Sequence, residues 1–249
     1  MKHEIKNRHD KKIVVLLERV ENQKGLAFVM HGLGGFKEQP HIQTLANAFL
    51  ENNISVVRFD TTNSLGESEG DYLNATTTNY YEDLEDVIFW AKQQDWYEEP
   101  FYLAGHSLGG LCPAIYSTKN PDKVKALAIA STVVSGKLFL EEFSEEQIED
   151  GYLQRSKPYK KLKWEPFKKD LLQFDLLENA DKLTMPVLMI VGEKDSGTPP
   201  KHQRLILDKL PGKNELHIIK DAPHTFKDER HLKEIKTLFD KWLENLLPL

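Results

Sequence analysis

The stretch Phe101-Tyr102-Leu103-Ala104-Gly105-His106-Ser107-Leu108-Gly109-Gly110 decides how this chain is read. An apolar run, Phe101 to Ala104, enters Gly-His-Ser-Leu-Gly, and Leu111-Cys112-Pro113-Ala114-Ile115-Tyr116 follows as a helix. Strand, tight turn and helix form the setting that a G-x-S-x-G turn requires if its serine is to stand exposed above a sheet. A serine on so sharp a turn has a strained backbone, and side chains at Gly105 and Gly109 would collide with the strand or helix beside it.

Outward from that turn the chain repeats one pattern. Lys12 to Val20 is a β-branched, leucine-rich strand, and Leu26-Ala27-Phe28-Val29-Met30 is a second, without alternation, as expected of a strand covered on both faces. It ends in His31-Gly32-Leu33-Gly34-Gly35, a turn whose backbone N–H groups can approach a ligand. Ile42, Leu45, Ala46, Phe49 and Leu50 mark a helix after Pro40, and Ile54 to Asp60 is a strand. A long polar loop from Thr61 to Thr78 follows; its length places it near a functional site. Tyr80, Leu84, Val87, Ile88 and Ala91 trace another helix face, and Val124 to Ala130 is a buried strand. After an interruption come the strand Met185 to Gly192, a helix over Pro200 to Lys209, the strand Glu215 to Ile219 and a terminal helix from about His231 to Leu246. Strands joined by helices imply an α/β fold with a mostly parallel central sheet and helices on both faces.

The interruption, Ser131 to about Lys182, is expected to be a small inserted cap, leaving 1–130 and 183–249 as the core domain. Lys137 to Ile148 reads as an amphipathic helix, Gly151 to Trp164 as an aromatic and basic hairpin, and Glu165 to Leu177 as a second helix. Two readings stand for its aromatics: Phe139, Phe143, Tyr152, Tyr159, Trp164 and Phe167 wall a substrate pocket, or they bury against the parent domain. Likewise Arg155, Lys157, Lys160, Lys161 and Lys163 either attract an anionic substrate or form a solvated face.

Composition excludes several classes. A chain of 249 residues with formal net charge −6 gives no reason to expect a nucleic-acid partner. Met1 to Asp10 lacks the apolar core of a signal peptide, and no apolar run approaches a membrane span, so neither export nor stable membrane insertion is expected. The single cysteine, Cys112, excludes an internal disulfide and suits a reducing, cytoplasmic setting; one turn beyond Ser107, it reads as a small buried apolar residue. No cluster of His, Cys and Asp has metal-ligand spacing, so neither a metal nor another cofactor is expected.

Ligands of open parallel sheets bind beyond the carboxyl ends of the strands. Three polar residues fall there in the order Ser, Asp, His: Ser107, then Asp195 in Gly192-Glu193-Lys194-Asp195, then His224 in Asp221-Ala222-Pro223-His224-Thr225-Phe226. A serine hydroxyl needs a base with a pKa near working pH, and a histidine base needs a carboxylate to orient it and to stabilise its protonated form. Among the other histidines, His217 lies within a strand, His106 flanks the serine, His202 and His231 fall on helices, and His31 belongs to the glycine turn. Asp221 and Glu193 remain rival carboxylates. The N–H groups of Leu33 and Leu108 are the expected oxyanion donors. Asp60, at a strand end, either binds a substrate group or anchors the loop that follows.

These pieces, together with Arg58-Phe59-Asp60 and Gly66-Glu67-Ser68-Glu69-Gly70, resemble the α/β-hydrolase superfamily, and within it the serine hydrolases that include cinnamoyl and feruloyl esterases, monoacylglycerol lipases and carboxylesterases. The resemblance implies a carboxylester hydrolase acting on a small-molecule acyl ester. A peptidase or thioesterase would use the same triad, and a catalytically inactive binding protein could keep the same fold.

Overall fold

The computed structural model describes residues 1–142, 148–154, 161–212 and 214–246. Its centre is an eight-stranded sheet of β1 (Lys2–Lys6), β2 (Lys12–Glu18), β3 (Leu26–Met30), β4 (Ser55–Asp60), β5 (Phe101–His106), β6 (Val124–Ala130), β10 (Val187–Gly192) and β11 (Asn214–Ile219). The spatial order is β1-β2-β4-β3-β5-β6-β10-β11. From β4 to β11 the pairing is parallel; β2 runs antiparallel to β4, and β1 to β2. The mostly parallel sheet expected from the apolar runs is therefore present.

Those runs lack alternation because both faces are covered. In β3, Phe28 and Met30 join the core on one side, while Ala27 and Val29 join the core on the other. The first side is closed by α2 (Thr77–Ala91) and α3 (Leu108–Lys119), with Ile206 of α6 (Pro200–Leu207). On the second, α1 (Pro40–Glu51) and α7 (Glu229–Leu246) meet edge to face through Phe49 and Phe239, ring centroids 5.0 Å apart. No helix among the described residues is long and apolar enough to cross a membrane.

Three local expectations change. Met1 to Asp10, in which no strand was expected, contributes β1, an edge strand in which only Ile5 is buried, so it carries no apolar run to find. The helix expected over 137–148 is the six-residue α4 (Gly136–Glu141), and Ile148–Glu149 is a strand, β7. The helix expected over 165–177 is α5 (Trp164–Leu171), followed by 3-10 turns at Leu176–Glu178 and Ala180–Lys182. Between β7 and α5, β8 (Tyr152–Gln154) pairs antiparallel with β9 (Lys161–Lys163), with Leu153 opposite Leu162, so both arms of the expected hairpin are paired. This small sheet is held to the core by Lys163 Nζ, which donates to Asn74 Oδ1 at 2.8 Å, and by Asp170 of α5, whose carboxylate accepts from Thr78 N (3.0 Å) and Oγ1 (2.5 Å) in the first turn of α2.

Candidate active site

Ser107 leaves β5 with φ 57° and ψ −121°, an unfavourable region for a residue with a Cβ. The surrounding backbone holds it there. Its N–H donates to Ala130 O at 2.9 Å, while its carbonyl accepts from Gly110 N and Leu111 N in the first turn of α3. The flanking glycines are needed for lack of space: a Cβ on Gly105 would stand 1.8 Å from Gly109 O, and one on Gly109 would stand 2.1 Å from His31 O.

Because β5, β6, β10 and β11 are neighbours, the loops after β5, β10 and β11 converge at one end of the sheet. There His224 Nε2 lies 3.1 Å from Ser107 Oγ, and His224 Nδ1 lies 2.9 and 3.0 Å from the Asp195 carboxylate oxygens. Asp195 is the carboxylate that meets the imidazole. Its rival Asp221 pairs at the surface with Lys194 at 2.6 Å, and Glu193 accepts from Asp221 N.

The Asp195 carboxyl is buried, which alone would push its pKa up. The hydrogen bond and charge of His224, with the amide of Thr198, act the other way and hold it down at about 2. Thr198 was not foreseen from sequence. Its N–H donates to Asp195 Oδ1 at 2.9 Å, and its hydroxyl lies 2.9 Å from Oδ2 and 2.8 Å from Ser131 O. A threonine three residues after a carboxylate is the only signal the sequence carried for it. With the carboxylate ionised, Nδ1 carries the imidazole proton and Nε2 offers its lone pair to the serine hydroxyl.

His106 acts on the same loop: its Nε2–H donates to the His224 carbonyl at 2.7 Å. His31 has a different task. It is fully buried, its Nε2 accepts from Thr61 N at 3.1 Å, and its Nδ1–H donates to Gly32 O at 2.8 Å. Burial pushes its pKa down, so it stays neutral and shapes the 32–35 turn. In that turn the N–H groups of Gly34 and Gly35 are taken by the Tyr80 hydroxyl and Gly32 O. Among the described residues, no acceptor takes the N–H of Leu33 or of Leu108, the first residue of α3. The two turns are in close contact, since a Cβ on Gly32 would stand 3.0 Å from Ser107 Cβ. A cleft of about 160 Å³ opens at this point, walled by the 32–35 turn, Ser107, His224, Thr225, Gln39, His41 and His106.

The described members of the aromatic set considered for a substrate pocket do not line this cleft. Phe139 and Trp164 are buried in the hydrophobic core, Tyr152 is half-buried on the small sheet, and none of the three lines this cleft. Phe143 falls outside the described residues, as do Tyr159, Arg155, Lys157 and Lys160. Phe139 and Trp164 instead bury apolar area against the parent domain. Asp60 is a loop anchor: fully buried, it accepts from Lys37 N and Nζ and from Glu67 N at 2.7 to 2.9 Å. Cys112 is buried against α2 and its thiol pKa is raised by desolvation, so it holds no thiolate. Among the described residues no group of His, Cys, Asp or Glu is arranged to hold a metal ion.

Comparison with known proteins agrees with this architecture. An uncharacterised 31.7 kDa Escherichia coli protein from the traX-finO intergenic region is 26% identical over 240 residues, spanning 80% of this chain and 82% of its own. Among solved structures, Est1E from Butyrivibrio proteoclasticus with ferulic acid bound superposes with a TM-score of 0.85 at 22% identity, covering 98% of both chains. Mouse α/β hydrolase domain-containing protein 10 does so at 0.81 and 18%, covering 99% of this chain and 100% of that one. These likenesses establish a common fold. The family model described as serine aminopeptidase, S33, matches residues 21–163, more than half the chain. By fold and by this match, the chain belongs to the S33 serine aminopeptidase family of α/β hydrolases.

Proposed function

We propose that this hydrolase is a serine carboxylester hydrolase that works through an acyl-enzyme. The observation that carries the proposal is the chain of contacts from Ser107 Oγ to His224 Nε2 (3.1 Å) and from His224 Nδ1 to the buried Asp195 carboxylate (2.9 Å). Ser107 Oγ attacks the ester carbonyl as His224 Nε2 takes its proton. Asp195 holds the imidazole in the productive tautomer and stabilises its charged form. The carbonyl oxygen, now negative, accepts from the N–H groups of Leu33 and Leu108, at the positive end of the α3 dipole. Removing one such donor costs about 10²–10³ in rate, so the backbone at Leu33 carries more weight than its side chain. His224 then protonates the departing alcohol, and water, activated by the same imidazole, hydrolyses the acyl-enzyme.

The segment between β6 and β10 belongs to the proposal as a cap, 131–182, inserted into a core of 1–130 and 183–249. Its departure from the strand–helix alternation supports that division, as does its small sheet, in which β7, β8 and β9 pair with one another. The proposal includes a cytoplasmic setting, in keeping with the lone, buried Cys112 thiol.

A fluorophosphonate probe should label the wild-type protein and fail on Ser107→Ala; equal labelling of both would refute the nucleophile. The leaving group is tested by comparing a short ester, its thioester and an aminoacyl amide. Preference for the ester by at least tenfold in kcat/KM is expected, and preference for the amide would make the protein a peptidase.

A further inference from the structure

One residue meets all three turns of the candidate site. His106 precedes Ser107 in the nucleophile turn, and its ring lies between two others: that of His41 in α1, with centroids 4.3 Å apart, and that of His224, 4.7 Å away. Phe226, two residues beyond His224, meets it edge-on at 6.2 Å. On the side of the glycine turn, a Cβ on Gly32 would stand 3.2 Å from His106 Nδ1. Packed this closely, the ring is buried and its orientation is fixed.

That orientation aims Nε2 at the His224 carbonyl, 2.7 Å away. A carbonyl only accepts, so Nε2 carries a proton. Among the described residues, this is the one hydrogen bond made to the main chain of His224. Elsewhere in the loop, Ala222 O accepts from Lys194 N at 2.9 Å and Phe226 N donates to Pro223 O at 3.2 Å; neither bond reaches the turn of Ser107. Nor does the sheet join the two, since β6 and β10 stand between β5 and β11. The His106 bond crosses that gap, from the neighbour of Ser107 to the backbone of His224, 118 positions along the chain.

We infer that His106 is a positioning residue for the base: by donating to the His224 carbonyl, its Nε2–H holds the base loop against the nucleophile turn and so keeps His224 Nε2 at 3.1 Å from Ser107 Oγ. The inference rests on the triad of the esterase proposal above, and it concerns proton transfer rather than substrate binding. A displacement of about 1 Å between reacting groups can cost about 10²-fold in rate, and loss of this bond removes the tie that prevents one.

His106→Gln and His106→Met form a matched pair, nearly equal in size, of which only glutamine offers an N–H donor. Turnover of one activated ester is measured per active site titrated by the fluorophosphonate, which removes misfolded protein from the comparison. In His106→Met, kcat per site should fall about 10²-fold with KM within about threefold of wild type, and His106→Gln should regain about tenfold of that loss. A merely structural role would lower the number of titrated sites and leave kcat per site unchanged. Equal kcat per site in the two variants, or a loss confined to KM, would overturn the inference. If neither variant folds, heteronuclear NMR of the wild-type imidazoles decides: a proton on His106 Nε2 supports the inference and a bare Nε2 overturns it. A wild type that neither hydrolyses the ester nor takes up the probe removes the esterase proposal itself, an outcome distinct from equal variants.

Discussion

Asp195 and Asp221 are chemically identical and lie on neighbouring loops, yet their surroundings separate them. Asp195 is buried, accepts from the Gly197 and Thr198 amides, and meets His224 Nδ1; Asp221 is at the surface, paired with Lys194. Asp195→Asn should therefore lower kcat about 10⁴-fold, because an amide cannot hold the same imidazole tautomer. Asp221→Asn should stay within about threefold of wild type, since it removes one exposed ion pair. Steady-state kinetics on one activated ester compares the two, and the opposite ranking would reassign the orienting carboxylate. Ser107, Asp195 and His224 were legible in the sequence because each follows an apolar strand at a turn. Thr198 and His41 were not, since nothing in a linear pattern shows that a threonine hydroxyl reaches a carboxylate or that a helix-start histidine lines the same cleft as a serine about 65 residues on.

Elements show the same contrast between long-range burial and local chemistry. The parallel strands could be read directly because two covered faces leave no exposed positions, as in β4 and β5, every residue of which is buried. The short elements between β6 and β10 could not, because they are set by attachment rather than by periodicity. Asp170 illustrates this: it joins α5 to α2 by accepting from Thr78 N and Oγ1, at the N-terminal end of α2 where a negative charge also suits the helix dipole. Hydrogen bonds to a charged group contribute more than neutral ones, so Asp170→Ala should destabilise the fold by about 2 kcal/mol in urea titration. Asp170→Asn, which keeps one acceptor oxygen, should cost less. Equal losses in both would mean that packing around α5, and not this carboxylate, fixes the element.

For the whole molecule the buried neutral histidines set the response to acid. His31 and His41 both have pKa values lowered by burial, so in the unfolded chain they take up protons near the ordinary histidine value while the folded chain refuses them. The unfolded state then binds more protons, and stability must fall as pH drops below about 6.5. With a folded pKa of about 3, His41 alone should cost about 2 kcal/mol between pH 7 and pH 5. Asp195 works in a lower window: its depressed pKa contributes stability above the ordinary aspartate value, and this is lost only as pH falls from about 4 toward 2. Urea midpoints at pH 7 and pH 5 should show the difference, and His41→Gln should shrink it; an unchanged pH dependence in that variant would contradict the assignment.

The proposed triad is not seated evenly across the sheet. Ser107 follows β5, which has paired strands on both sides, whereas His224 follows β11, the last strand in the order, which among the described residues pairs with β10 alone and has only Ile219 fully buried. Backbone amides of an outer strand open to solvent by local fraying, without waiting for the rest of the domain. Hydrogen–deuterium exchange should find β11 amides exchanging well before those of β3 and β5. In mild urea, turnover should disappear while ellipticity and the tryptophan signal are still native, with Ser107 and its helix still in place but without a base.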